Sequence, residues 1–395
     1  MKRNKFYYFV LNPFNILSIG FLLVILIYTF NWSDLYLWET LRSELIYFVF
    51  LIIIFSFLIG LLVQNKINKY VDHKILFINY KYHKISYFFI LLYSIEFIYF
   101  KKIPIINALL GKNYVYGDFG LPILHMFIVS THIFYILVIF EYYLKSKKNK
   151  FLLIFILNLL LSITLLNRGM LLTIILSSTF LFIYYNIHKI SIKKLMISFL
   201  ILIILFGFLG NLRLGQYSNE TSTNKSIILQ LGNANDNFYR SQTPDFVFWT
   251  YIYIVSPLGN LNNTIKSKKI KPDLLNLVNL IKHDILLETI HKRIDFIGGK
   301  RNEAVLVNQN FNASTMFIGG YLEMGYIGMI LIFLYYMLFS LIYIILIQKN
   351  IYRLVGLSIL STNIFFGIFN NIFVKSAFML PLLLVLVLGK RYVCK

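Results

Sequence analysis

The sequence predicts an all-α fold: a polytopic transmembrane helix bundle of about ten spans with one large external loop. Three observations predict it. The chain is 58% hydrophobic and only 14% charged, with a mean hydropathy of +0.72, a composition foreign to water-soluble domains. Apolar runs of about 18 residues or more recur, and each is long enough for a helix to cross a bilayer core. One polar excursion, residues 213–314, interrupts them and holds 8 of the 16 acidic and 12 of the 38 basic residues.

Helices follow because hydrocarbon offers no partner for backbone N–H and C=O groups, so a span must pair them internally. Continuous runs also exclude a transmembrane barrel, whose strands alternate over about ten residues. The spans are expected near 13–31, 45–63, 85–100, 122–144, 151–166, 169–187, 195–212, 315–346, 354–373 and 377–390. The apolar stretch 151–187 is too long for one span, and Asn167-Arg168-Gly169 divides it. This gives residues 1–212 as an N-terminal bundle of about seven spans, 213–314 as a large external loop, and 315–395 as a C-terminal bundle of about three spans.

Basic residues set the orientation. Alternate short segments carry Lys2, Arg3 and Lys5; Lys66, Lys69, Lys74, Lys81 and Lys84; Lys145, Lys147, Lys148 and Lys150; Lys189, Lys193 and Lys194; Lys349 and Arg353; and Lys390, Arg391 and Lys395. The short connections between them carry only Arg42, Lys101, Lys102, Lys112, Arg168 and Lys375. Both termini are therefore expected on the cytoplasmic side, with the large loop outside. No small-x-small cleavage site follows the first span, so it reads as a retained signal anchor. The net charge of +22 follows from these loops and does not call for nucleic acid.

Within the excursion, Phe246 to Leu258 is apolar but short for a crossing and ends at Pro257 and Gly259. It reads as an interfacial or re-entrant segment. Leu274, Leu277, Val278, Ile281 and Ile285 follow helical spacing, with Lys282, Asp284, Glu288 and Lys292 on other faces. That pattern reads as an amphipathic helix on the membrane surface or capping the bundle. Pro104, Gly111, Gly117, Gly120 and Pro122 among aromatics suggest a structured connection over 101–121.

The chemistry of soluble enzymes is missing from the pattern. There is no phosphate-binding glycine loop, no His-Glu-x-x-His, no Gly-x-Ser-x-Gly and no Cys/His cluster. Cys394 is the lone thiol, so no intramolecular disulfide is expected. No metal site or cofactor is predicted. What remains are ionisable residues at or near membrane depth, where charge is costly and usually functional. Arg168 and Arg213 stand at one predicted face and could converge with Arg240 on a phosphate-rich group, which guanidinium binds bidentately. Snorkelling to lipid phosphates is the plain alternative for both. Glu96 and Glu323 are candidate acids or bases, the latter among Gly319, Gly320, Gly325 and Gly328. Glu141 beside a basic loop reads as a structural partner. His125, His283 and His291 could serve as a base near neutral pH.

Four patches together resemble the Wzy-type O-antigen polymerases, bacterial oligosaccharide repeat-unit polymerases. They are Ile103-Pro104-Ile105 with Tyr116-Gly117-Asp118-Phe119-Gly120-Leu121-Pro122 and His125; Asn167-Arg168-Gly169; Gly210-Asn211-Leu212-Arg213; and Asn312 to Thr315 leading into Gly320-Tyr321-Leu322-Glu323-Met324-Gly325-Tyr326-Ile327-Gly328. Glu323 stands where the family usually carries Asp. The resemblance implies an integral-membrane glycosyltransferase of lipopolysaccharide biosynthesis. It would join undecaprenyl-pyrophosphate-linked oligosaccharide units outside the inner membrane, without a metal. Membrane lipid, a chain-length regulator and a flippase of the same pathway would be its partners. An O-antigen ligase using the same donor is the nearest alternative. A polysaccharide flippase or transporter is a third, disfavoured by the lack of an internal repeat and by ionisable residues gathered at one face.

Overall fold

Short polar residues set where helices begin. The Asn12 side-chain oxygen accepts from the Phe14 N–H at 3.1 Å, and Pro13 supplies the fixed φ of a first helical turn. The Asn167 oxygen accepts from the Met170 N–H at 3.0 Å and opens the helix that starts at Arg168. The computed structural model describes residues 11–68, 82–110, 119–186, 227–294, 299 and 301–389. The expected span 195–212 and Arg213 lie outside the described residues.

The bundle comprises α1 (Pro13–Tyr28), α2 (Ser43–Asn68), α3 (Tyr82–Phe100), α4 (Pro104–Leu109), α5 (Leu124–Ser146), α6 (Asn149–Thr164) and α7 (Arg168–Asn186). Short helices α8 (Ile227–Leu231) and α9 (Asp236–Arg240) follow, then the long α10 (Asp245–Ser267), α11 (Leu274–Leu280) and α12 (Glu288–His291). The chain closes with α13 (Ile318–Leu346), α14 (Arg353–Phe366) and α15 (Ser376–Leu388). Among the described residues there is no sheet, only an isolated bridge between Ser33 and Ala234. Four helices, α2, α5, α7 and α13, are long and apolar enough to cross a membrane. The apolar helices α1, α6, α14 and α15 are shorter, at 16, 16, 14 and 13 residues. They rise only about 20–24 Å, against roughly 30 Å of hydrocarbon. The outer faces of α2 and α6 expose Leu51, Ile54, Phe55, Leu58, Leu153 and Leu157, an apolar surface suited to lipid and not to water.

Side-chain contacts sort the helix ends into two groups. At one end the Asn12 amide donates to Gln64 at 2.9 Å, the Arg353 guanidinium reaches the Ile67 carbonyl, and Glu141 takes Lys145 at 2.6 Å and the Tyr185 hydroxyl at 2.9 Å. Glu141 is thus partnered by the basic loop next to it. At the other end the polar segment is folded down onto the bundle. The Ser33 hydroxyl donates to the Gly232 carbonyl, Trp32 packs on Tyr251, and Asn262 bridges the Arg42 N–H and the Thr40 carbonyl at 2.9 and 3.0 Å. We call this the loop-bearing end.

One expectation for the polar segment changes and a second gains detail. The run Phe246 to Leu258 does not stop at Pro257 and Gly259 but lies within the 23-residue α10, which continues to Ser267. The helix persists because Gly259 lets Tyr28 and Tyr36 pack directly on its backbone, and because Asn260 binds the Phe311 and Ala313 carbonyls at 2.6 and 2.8 Å. The second stretch is a helix, as expected, with apolar residues on two faces: Leu280 is buried and Leu277 and Ile285 pack against the core. In α11 and the π-turn Ile281–Ile285 that follows, Leu274, Leu275, Val278 and Ile281 point outward, Leu274 being 80% exposed. Asn279, Lys282, His283 and Asp284 are buried. The wider π-turn carries three consecutive ionisable residues inward, which a regular α-turn would splay over different faces.

The entry to α13 dips into the bundle. Phe317 packs on Phe21 of α1 and Phe48 of α2, and the Met316 N–H donates to the Gly367 carbonyl at the end of α14 at 2.8 Å. Residues 318–323 then climb as a short helix. The backbone reverses at Met324 and Gly325, where Gly325 takes φ +60°, and residues 326–346 run back as the span proper. The two arms touch at glycines: a Cβ on Gly328 would lie 1.9 Å from the Gly320 carbonyl oxygen. A Gly328→Ala substitution should therefore force the arms apart and cost about 1–3 kcal/mol. A thermal melt of the detergent-solubilised protein should show a lower midpoint, with a smaller effect for Ala at an outward position such as Ile330.

Candidate functional site

The first cluster joins two of the candidates. Glu96 lies fully buried near the end of α3, and His125 lies in the first turn of α5. The Glu96 Oε2 to His125 Nδ1 distance is 2.8 Å. Glu96 Oε1 accepts from the Leu121 N–H at 3.1 Å, which fixes the carboxylate from the loop side. The Phe119 ring stands edge-on to the imidazole, with centroids 5.6 Å apart. A carboxylate on Nδ1 holds the ring proton there and makes Nε2 the basic nitrogen. This is the arrangement by which a carboxylate orients a histidine base.

The second cluster centres on Asp284, which lies in the buried π-turn. Its Oδ1 pairs with Arg301 Nη2 at 2.8 Å. Its carboxyl rests on Gly319, where a Cβ would meet Oδ1 at 1.9 Å. The Asn371 amide donates to the Asp284 carbonyl at 2.9 Å, and Asn371 is itself held by the Tyr336 hydroxyl at 2.8 Å. Glu323 stands one helical turn beyond Gly319, on the same face of the short arm. It has no exposed surface, and neither of its oxygens closes a hydrogen bond. Next to Asp284, His283 Nε2 lies 3.3 Å from the Gly299 carbonyl, and its ring meets His291 at 5.7 Å. Burial pushes the Asp284 carboxyl above the usual range, against the pull of Arg301, His283 and Asn371.

The second cluster adjoins one short stretch, residues 371–378, which leads into α15; α5, which carries His125, meets the same stretch through Ser130. Asn371 binds Asp284, Lys375 pairs with Glu288 at 3.4 Å, and the Ser376 hydroxyl meets Thr289 at 3.0 Å. The Ala377 carbonyl takes the Ser130 hydroxyl of α5 at 3.1 Å, and Phe378 packs on Gly169. Arg168, exposed at the start of α7, therefore stands beside the first turn of α15. Arg240 is exposed at the end of α9, whose Phe238 packs on Trp32 and Phe248 across the loop-bearing end. No described contact brings it to Arg168.

Asp284, Arg301 and Asn371 were not singled out from the sequence. The available signal was the unbroken triplet Lys282-His283-Asp284 inside an otherwise apolar helix. A deeper residue was also missed. His132 of α5 is buried between the Tyr93 hydroxyl and the Asn158 side chain, each at 3.1 Å, and stacks on Phe89. This network ties α3, α5 and α6 as polar groups do inside a membrane bundle.

Comparison with protein-family models, curated proteins and solved structures finds no match for the chain. The site is therefore read from its own geometry.

The shift at Asp284 has a sign. A carboxyl whose folded-state pKa is raised favours folding below the ordinary carboxylate range and loses that contribution as pH rises. Asp284→Asn removes the buried charge while keeping the shape. Its midpoint should exceed that of the unmodified protein at pH 7, and the difference should shrink towards pH 4. A pH series of thermal melts checks this.

Proposed function

We propose that the protein polymerises lipid-linked oligosaccharide units at the loop-bearing end, as the resemblance to Wzy-type O-antigen polymerases implies. In this reading the chain crosses a bacterial inner membrane about ten times, with the shorter helices also crossing. Both termini are cytoplasmic, and the loop-bearing end faces the periplasm. The observation that supports the reading is that residues 371–378 join the Asp284 cluster to the start of α7, where Arg168 stands, while the Glu96–His125 pair lies on the neighbouring α3 and α5. Such a site can hold an anion and accept a proton together, and glycosyl transfer from a pyrophosphate needs both.

The chemistry asks little more of the protein. The acceptor sugar hydroxyl attacks the anomeric carbon of the donor as the carbon–oxygen bond to pyrophosphate breaks. The bonding electrons leave with undecaprenyl pyrophosphate, whose charge needs cationic stabilisation. Arg168 and Arg213 supply that in this proposal. The hydroxyl proton passes to a base, for which Glu96–His125 and Glu323 with Asp284 are the candidates. The outward apolar face of α11, flanked by Lys271 and Lys292, suits contact with the lipid that carries the donor.

Deleting the gene should collapse the source bacterium's lipopolysaccharide ladder to core plus one repeat unit, and the intact gene should restore it. Loss of every repeat unit would indicate ligation or export instead. Arg168→Ala should abolish long-chain polymer while protein level, read by immunoblot, stays within about twofold, because an exposed arginine contributes little to stability. Normal polymer in that variant would remove Arg168 from the site.

A further inference from the structure

We infer that α11 and the π-turn after it form a re-entrant half-helix, sunk beside α13 into the acyl chains of the surrounding membrane. This placement goes beyond the polymerisation reading and does not depend on it.

Contacts at its two ends set the depth. A Cβ on Gly325 would lie 3.2 Å from the Ile270 carbonyl oxygen, so the chain enters this stretch level with the reversal that tops α13. The Tyr321 hydroxyl donates to the Lys268 carbonyl at 2.7 Å and holds the entry there. At the far end the Tyr335 hydroxyl donates to the Ile285 carbonyl at 3.4 Å. From Gly325 to Tyr335 the helix drops about 15 Å, roughly half of a hydrocarbon core. Residues 270–285 therefore run down beside the half of α13 nearer the loop-bearing end, and α11 and the π-turn pack along it.

The segment is polar inside and apolar outside. Between Asp273 and Glu288 the exposed residues are Leu274, Leu275, Val278 and Ile281, while Lys282, His283 and Asp284 are buried. A helix in water turns its charges out, and a helix in lipid turns them in. Alongside, α13 presents a stripe of the same kind, Ile327, Ile330, Leu334 and Leu338, on a helix long and apolar enough to cross. Lys266, Lys269 and Lys271 stand exposed at the entry, the level of headgroup phosphates. The next exposed cations, Lys292 and Arg293, come after α12, which Thr289 ties to Ser376 at the start of α15. Acyl chains are the occupant this placement selects, since the same layer must cover the neighbouring stripe of α13. A helix lying flat on the surface would instead hold its apolar residues at one depth, about 5–10 Å into the headgroup boundary.

Depth-resolved quenching tests this on the purified full chain. In a Cys394→Ser background, Leu274→Cys, Val278→Cys, Ile281→Cys, Lys271→Cys and Leu334→Cys are each labelled with bimane. The proteins are reconstituted in phosphatidylcholine vesicles brominated near one end or the other of the acyl chain. The ratio of deep to shallow quenching should rise about twofold from Leu274→Cys to Ile281→Cys, because that stretch of helix descends about 10 Å. Ile281→Cys should approach Leu334→Cys of α13, and Lys271→Cys should be quenched by aqueous iodide. Iodide quenching at Val278→Cys and Ile281→Cys without lipid quenching would put the face in water and overturn the inference. Equal ratios from Leu274→Cys to Ile281→Cys would lay the helix flat and overturn the descent. Protection from both quenchers would mean that a second copy of the chain covers the face, which also overturns it. Leu275→Cys stands in for any variant that does not elute as a single folded species.

Discussion

The buried contact of Asp284 with Gly319 organises the loop-bearing end. A charge without solvent demands partners, and the chain supplies them from three distant places. Arg301 comes from the polar segment, Asn371 from the connection between α14 and α15, and the glycine from the dipping arm of α13. Each partner brings its own element along. The contact therefore fixes the polar segment to the bundle and sets where Glu323 stands. A larger side chain at residue 319 would expel the carboxyl and dissolve that arrangement.

The dip before α13 is the second constraint. Met316 and Phe317 descend among α1, α2 and α14 before the chain climbs and reverses at Gly325. Irregular backbone inside a membrane bundle is tolerated only where protein pairs its polar groups or where it lines a cavity. Here the Gly367 carbonyl and the close glycine arms provide the pairing. The result is a site built partly on rigid helices and partly on a re-entrant turn, which places buried acids close to the end that the polar segment covers.

Much of the architecture was legible because hydrophobic runs and turn residues act locally. Asn167 marks the break between α6 and α7, and Glu141 beside Lys145 marks a salt bridge, since both depend on neighbours in sequence. Which apolar residues of α11 turn outward and which pack on the bundle was not legible. Periodicity identifies an apolar stripe but not what the stripe faces, and near a membrane the stripe can face outward. The union of Glu96 with His125 depends on how α3 meets α5, across 29 residues. Both were visible as isolated ionisable residues near the same face, but not as a pair. Asp284 was hidden for a related reason: a π-turn redirects side chains, and no composition rule announces one. Arg213 and the expected span before it lie outside the described residues, so its place beside Arg168 belongs to the proposal.

Reconstitution isolates the central claim that this chain alone transfers glycan between lipid pyrophosphates at the site described. The purified protein would be placed in lipid vesicles with a purified undecaprenyl-pyrophosphate-linked repeat unit from the source bacterium. The account predicts a ladder of products growing by whole repeat units, with undecaprenyl pyrophosphate released in step. A repeat unit that stays monomeric under these conditions, with the protein folded and the substrate intact, would contradict it.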